Sequence, residues 1–147
     1  MDVANWFKGF EKGIAMLPAP ERELFFSECG KHCVTNSVLP IYRDLYKKAN
    51  GNMDIFFQKA NELPGVKGEV IETGHIYHLF FLTCTCKLHQ EGYINTPLLC
   101  ECSRQSVLYA LHSLWNNKNF HVTVCHSILR GERDCKLKIE VSSCNTK

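Results

Sequence analysis

The sequence predicts an α+β fold in which N-terminal helices pack with an antiparallel four-stranded sheet of strand-strand-helix-strand-strand order. Three observations predict it. Apolar residues recur every three or four positions through residues 1–65, the period falls to two from Glu69 onward, and one return to helical spacing after Ser103 separates two pairs of alternating segments. A chain of 147 residues, 45% hydrophobic and 22% charged, has apolar material for one ordinary core and too little length for two full domains. Residues 1–147 therefore read as a single domain, with a helical half over 1–65 and a ββαββ half over 66–143.

Trp6, Phe7, Phe10, Ile14 and Leu17 share one helical face, and Pro18 and Pro20 end that helix. Pro20 with Glu21 and Glu23 suits the first turn of a second helix, since proline gives up no needed N–H there and carboxylates favour the positive dipole end. This helix runs through Cys29–Cys33. Asn36 or Ser37 opens a third, carrying Leu39, Ile41, Tyr42, Leu45 and Tyr46 and stopping near Asn50-Gly51. A fourth spans Met53 to Leu63, closed by Pro64-Gly65.

Glu69–Thr73 and His75–Thr83 are rich in β-branched and aromatic residues and read as paired strands about a turn at Gly74. Ser103 is the expected N-cap of a helix with Val107, Leu108, Leu111, Leu114 and Trp115 on one face, ending near Asn116-Asn117. Phe120–Cys125 and Lys136–Val141 alternate as strands with one buried face, joined through Arg130-Gly131-Glu132, where Gly131 supplies a positive φ. Cys135 shares the parity of Leu137 and Ile139 and should face the core. The tail SSCNTK should fray, which leaves Cys144 without a role.

The net charge of +2 is spread along the chain and forms no basic stripe, which argues against nucleic acid as a partner. No apolar run approaches the ~18 residues of a membrane span. The N-terminus, with Asp2, Lys8, Glu11 and Lys12, lacks the pattern of an export signal. Nine cysteines, an odd number, in such a chain point to reduced thiols in the cytoplasm and make a disulfide framework the least favoured reading.

The thiols carry the chemistry. Cys84/Cys86 and Cys100/Cys102 flank one polar loop, and four thiolates could supply the tetrahedral shell of zinc. His89 is a reserve ligand, as is His32 beside the Cys29/Cys33 pair. Those two cysteines, four apart on a helix, fall on one side and can face one partner, or can simply be buried as small hydrophobes. Gly30 between them suggests close approach by another element. Cys100 and Cys102, at a helix start, are the expected ionised thiols. A thiol enzyme would further need a base, for which His78, His121 and His126 are candidates.

CGKHC, the CTC and CECS pairs and the ending HSILRGERDCKLKIEV together resemble an uncharacterised bacterial cysteine-rich family related to 4-vinyl reductase-type small-molecule-binding domains and to L-2-amino-thiazoline-4-carboxylate hydrolase-like proteins. The matching positions are Cys29, Gly30, Cys33, Cys84, Cys86, Cys100, Cys102, Ser103, Ser127, Gly131 and Cys135; Lys87 stands where such a pattern has proline. The resemblance implies an α+β ligand-binding fold, a cysteine-bound metal in some members, and homodimers. It implies a small-molecule site that includes Cys29, Cys33, Ser103 and Ser127. The leading functional reading is thus a cytoplasmic ligand-binding module with a thiolate-rich site able to take zinc. A thiol-dependent hydrolase of a small cyclic or amide substrate and an interaction subunit without ligand are the alternatives.

Overall fold

The computed structural model of the chain describes residues 1–84 and 86–143. The expectation for Cys144 falls outside them. Helices α1 (Val3–Met16), α2 (Ala19–Thr35), α3 (Val38–Lys48) and α4 (Met53–Lys59) come first. Strands β1 (Val66–Glu72) and β2 (Ile76–Phe81) follow, then a short α5 (Lys87–Gln90), helix α6 (Cys100–Leu114), and strands β3 (Lys118–His126) and β4 (Cys135–Ser143). The fold is α+β, as the change of period predicts.

Local chemistry explains most boundaries. Asp2 and Asn52 cap α1 and α4, each side chain accepting from a backbone N–H in the first turn. Pro20 sits in the first turn of α2 with Glu21 beside it. Ser37 stands before α3 but makes no cap; its hydroxyl donates to the Cys33 carbonyl at 2.7 Å. The start of α6 departs from expectation. Thr96 caps a 3₁₀ turn at Pro97–Leu99 that feeds directly into the helix, so α6 opens at Cys100 and Ser103 lies within it instead of capping it.

All strand pairs are antiparallel, in the order β1-β2-β4-β3. Tyr77, Leu79, Leu137, Ile139, Val122 and Val141 point to one face and join the buried faces of α3, α4 and α6 in the main core. On the opposite face Phe80 lies under the Lys67 and Lys136 ammonium groups, 4.9 and 5.7 Å from its ring. A second, smaller core joins Ile14, Phe26, Ile94 and Leu99, with Phe7, Phe10 and Tyr93 packed against it. The Glu11 carboxylate helps dock α1 there by accepting from the Asn95 and Thr96 amides at 2.6 and 3.0 Å.

Helices α2 and α6 meet at Gly30, as a glycine within a helix suggests. A Cβ there would stand 2.8 Å from the Ser106 nitrogen and 3.0 Å from the Cys102 carbonyl oxygen. Only glycine lets the two backbones approach so closely. Gly30→Ala should therefore lower stability by about 1–3 kcal/mol, the cost of forcing extra volume into a packed contact. Urea unfolding measures it, and an unchanged midpoint would show that the helices separate freely.

A thiol-lined cavity between two cores

Where the two cores part, a cavity of about 600 Å³ opens. Its floor is the end of the sheet, with Phe81, Val124 and Leu137. Phe26, Val34 and Val38 form one wall from α2 and α3, and Val107 and Ala110 of α6 form another. Phe10, Leu88, Leu99 and Leu129 close it from the side of the smaller core. The cavity is thus the seam left where α1 and the 86–99 segment pack among themselves and not into the main core.

Cys29, Cys33, Cys84, Cys86, Cys100, Cys102 and Cys135 all line this space, as do Ser103 and Ser127. The structure therefore brings together every cysteine and serine singled out as a site candidate. Cys29 and Cys33 present themselves one helical turn apart, Cys102 and Ser103 from α6, and Cys84 and Cys86 from the loop leaving β2. Cys135 enters because it pairs with Phe81 and shares the inward parity of Leu137. Ser127 is fully buried: its hydroxyl lies 2.8 Å from the Cys100 sulfur and its N–H donates to the Glu132 carboxylate at 2.9 Å.

The histidines are mostly elsewhere. His89 sits 3.3 Å from the Ile94 carbonyl oxygen, His32 faces Glu28 at 3.7 Å on the surface, and His78 pairs with Glu69 at 3.2 Å on the outer face of the sheet. His121 is exposed. Of the candidate bases only His126 reaches the cavity wall, and it lies 3.2 Å from Asp134. Among the described residues, no three or more His, Cys, Asp or Glu side chains are grouped so as to hold a metal ion.

Burial also changes the expected charge of the thiols. Cys102 is pushed up to about 12, first by loss of solvent and then by neighbouring Cys29 and Cys33. Cys100 rises for the same first reason, although the Ser127 hydroxyl and the nearby Arg130 oppose the rise. Cys84 and Cys135 are raised by burial as well, opposed by the backbone amides of Cys86 and Ile128. The expectation of thiolates at the α6 start is corrected accordingly. The 3₁₀ turn directs the Cys100 N–H to the Pro97 and Leu98 carbonyls, and desolvation outweighs what the helix end offers.

Sequence reasoning missed the polar network that ties the first turns of α6 to β3. Arg104 grips Glu101 through Nε and Nη2, the shortest contact 2.7 Å, and donates from Nη1 to the Val122 carbonyl at 3.1 Å, tying α6 to β3. Gln105 donates to the same Glu101 carboxylate at 2.7 Å. The Glu-x-x-Arg spacing at 101–104 was the available signal. Missed too was Phe10 as a cavity wall, since an aromatic on a helical stripe reads first as core.

Among the described residues no helix is long and apolar enough to cross a membrane. No family model matches the sequence. No curated protein matches it either. Among solved structures, the chain is similar to a trafficking protein particle complex subunit 3 from Naegleria fowleri, covalently bound to palmitic acid in its crystal structure. The two are 8% identical, and the match covers 96% of this chain and 93% of that one at a TM-score of 0.46.

Proposed function

We propose that this chain is a small-molecule-binding domain that takes an apolar or amphipathic ligand in the thiol-lined cavity. The observation that carries the reading is the cavity, whose volume of about 600 Å³ falls within the ~300–1,000 Å³ typical of small-molecule sites. Its walls are Phe, Val, Leu and cysteine side chains, and a thiol is a weak hydrogen-bond donor. Water in such a space is poorly held, so an apolar group that displaces it gains affinity. Lys87 and His126 also line the space and are exposed, which gives an amphipathic ligand polar partners. The raised thiols favour binding over nucleophilic catalysis at neutral pH, since the thiolate is the nucleophile.

A native mass spectrum of the chain as purified, followed by titration with the fluorescent probe anilinonaphthalene sulfonate, tests this. The expected result is either a retained small molecule or saturable probe binding. Val124→Trp, which fills the cavity from the strand side, should weaken the probe about tenfold, equivalent to roughly 1.4 kcal/mol. A spectrum without adduct combined with no saturable binding would remove the reading. The same spectrum weighs any zinc carried at Cys84, Cys86, Cys100 and Cys102, where ligation would require the loop between the pairs to draw the sulfurs together. It also displays a homodimer.

A further inference from the structure

Seven thiols around one cavity exceed what an apolar pocket needs, and one pair has a distinctive placement. The Cys100 sulfur lies 2.8 Å from the Ser127 hydroxyl, and the pairing of His126 with Lys136 sets the Ser127–Ile128 dipeptide beside Cys135. Two cysteines, from the starts of α6 and β4, thus flank a single dipeptide. That dipeptide is held: Ser127 is fully buried, its N–H is bonded to Glu132, and its carbonyl accepts from the Arg130 and Glu132 amides at 3.0 and 3.1 Å. Both residues line the same space, which a small oxidant can enter.

We propose that Cys100 and Cys135 form a reversible disulfide on reaction with a hydroperoxide, making this corner of the cavity a redox modification site. The reaction balances without any further component. In the fraction of chains in which Cys100 has lost its proton to solvent, which burial keeps small at neutral pH and which grows as pH rises, its sulfur attacks the near peroxide oxygen; an S–O bond forms, the O–O bond breaks, and the leaving hydroxide takes a proton to become water. The Cys135 sulfur, likewise deprotonated, then attacks the sulfenic sulfur; an S–S bond forms, the S–O bond breaks, and a second water leaves. Two thiols and one hydrogen peroxide become one disulfide and two waters, and an added dithiol reverses the change. The link joins the first residue of α6 to the first residue of β4 across the cavity wall.

The site does not depend on what the cavity binds, and its test reads sulfur connectivity alone. The full-length chain is treated with hydrogen peroxide, its remaining thiols are alkylated, and tryptic peptides are sequenced by mass spectrometry. The expected product links the peptide Asp134–Lys136 to the peptide Leu88–Arg104. Because the second peptide also holds Cys102, the link should persist in Cys102→Ser and vanish in Cys100→Ser, with far-UV circular dichroism unchanged in both. Dithiothreitol should return the two thiols. Peroxide-treated wild-type chain in which Cys135 stays free, becomes only sulfinic, or links to Cys84 would overturn the proposal, and the wild-type map decides this even if a variant fails to fold.

Discussion

Replacing Phe57 by alanine should lower the free energy of unfolding by about 3–5 kcal/mol, a large share of the ~5–15 kcal/mol that holds a domain together. Phe57 is wholly buried in α4, stacked on Tyr77 at 4.4 Å between ring centroids and edge-on to Phe56 at 5.3 Å. Its surroundings have little room to collapse. Gly68 of β1 already rests against the Phe57 carbonyl, and Tyr77 is pinned at its far end, where its hydroxyl donates to Asp54 at 2.5 Å and accepts from the Gly74 amide at 2.9 Å. A hole left there stays open, which places the loss at the upper end of the range. Urea unfolding with an unchanged slope and a much lower midpoint is the expected measurement. A loss below about 1 kcal/mol would mean that α4 can settle onto the sheet, contrary to the contacts of Gly68 and Tyr77.

The elements were legible because hydrophobic period decides them. Leu137, Ile139 and Val141 alternate and are all buried, and Ile14, Phe10 and Phe7 face the small core from one side of α1. Boundaries set by weaker signals were less legible. β1 starts at Val66 and not at Glu69 because Lys67 and Gly68, poor strand formers by type, pair with Phe80 and Leu79. The turn at Pro97 hid the true start of α6, since Ser103 offers the stronger cap by residue type. At the site, spacing could place Cys29 beside Cys33 and Cys135 on the inner face, but it could not show the seam between two cores. That seam arises from Phe7 and Phe10 packing with Tyr93, Ile94 and Leu99, contacts more than 80 residues apart in the chain. Thiol charge was misjudged for a related reason. A helix start is visible in sequence, whereas the burial that outweighs it appears only once α2 closes on α6 at Gly30.

Cys102 should be the slowest of the cavity thiols to alkylate in the native protein. With its pKa raised from 9.0 to about 12, the thiolate fraction near neutral pH falls about a thousandfold below that of an ordinary thiol, and the rate with iodoacetamide should fall in proportion. The rate should climb about tenfold per pH unit towards that value, whereas Cys102 in urea-unfolded chain should level off near an ordinary thiol pKa. Fragment sequencing of the Leu88–Arg104 peptide separates Cys102 from Cys100. The same shift fixes the sign of a stability effect. Cys102 is an acid whose neutral form the fold prefers, so above about pH 9 the unfolded chain sheds its proton first and binds fewer protons than the native state. Its contribution is full below that pH and drains away as pH rises towards 12. Cys102→Ala should flatten this alkaline loss, because alanine removes the titration while keeping the backbone contact with Gly30. Rapid labelling of native Cys102 at neutral pH, together with an alkaline profile that the variant leaves unchanged, would place this sulfur in water and strip the cavity of its neutral, apolar wall.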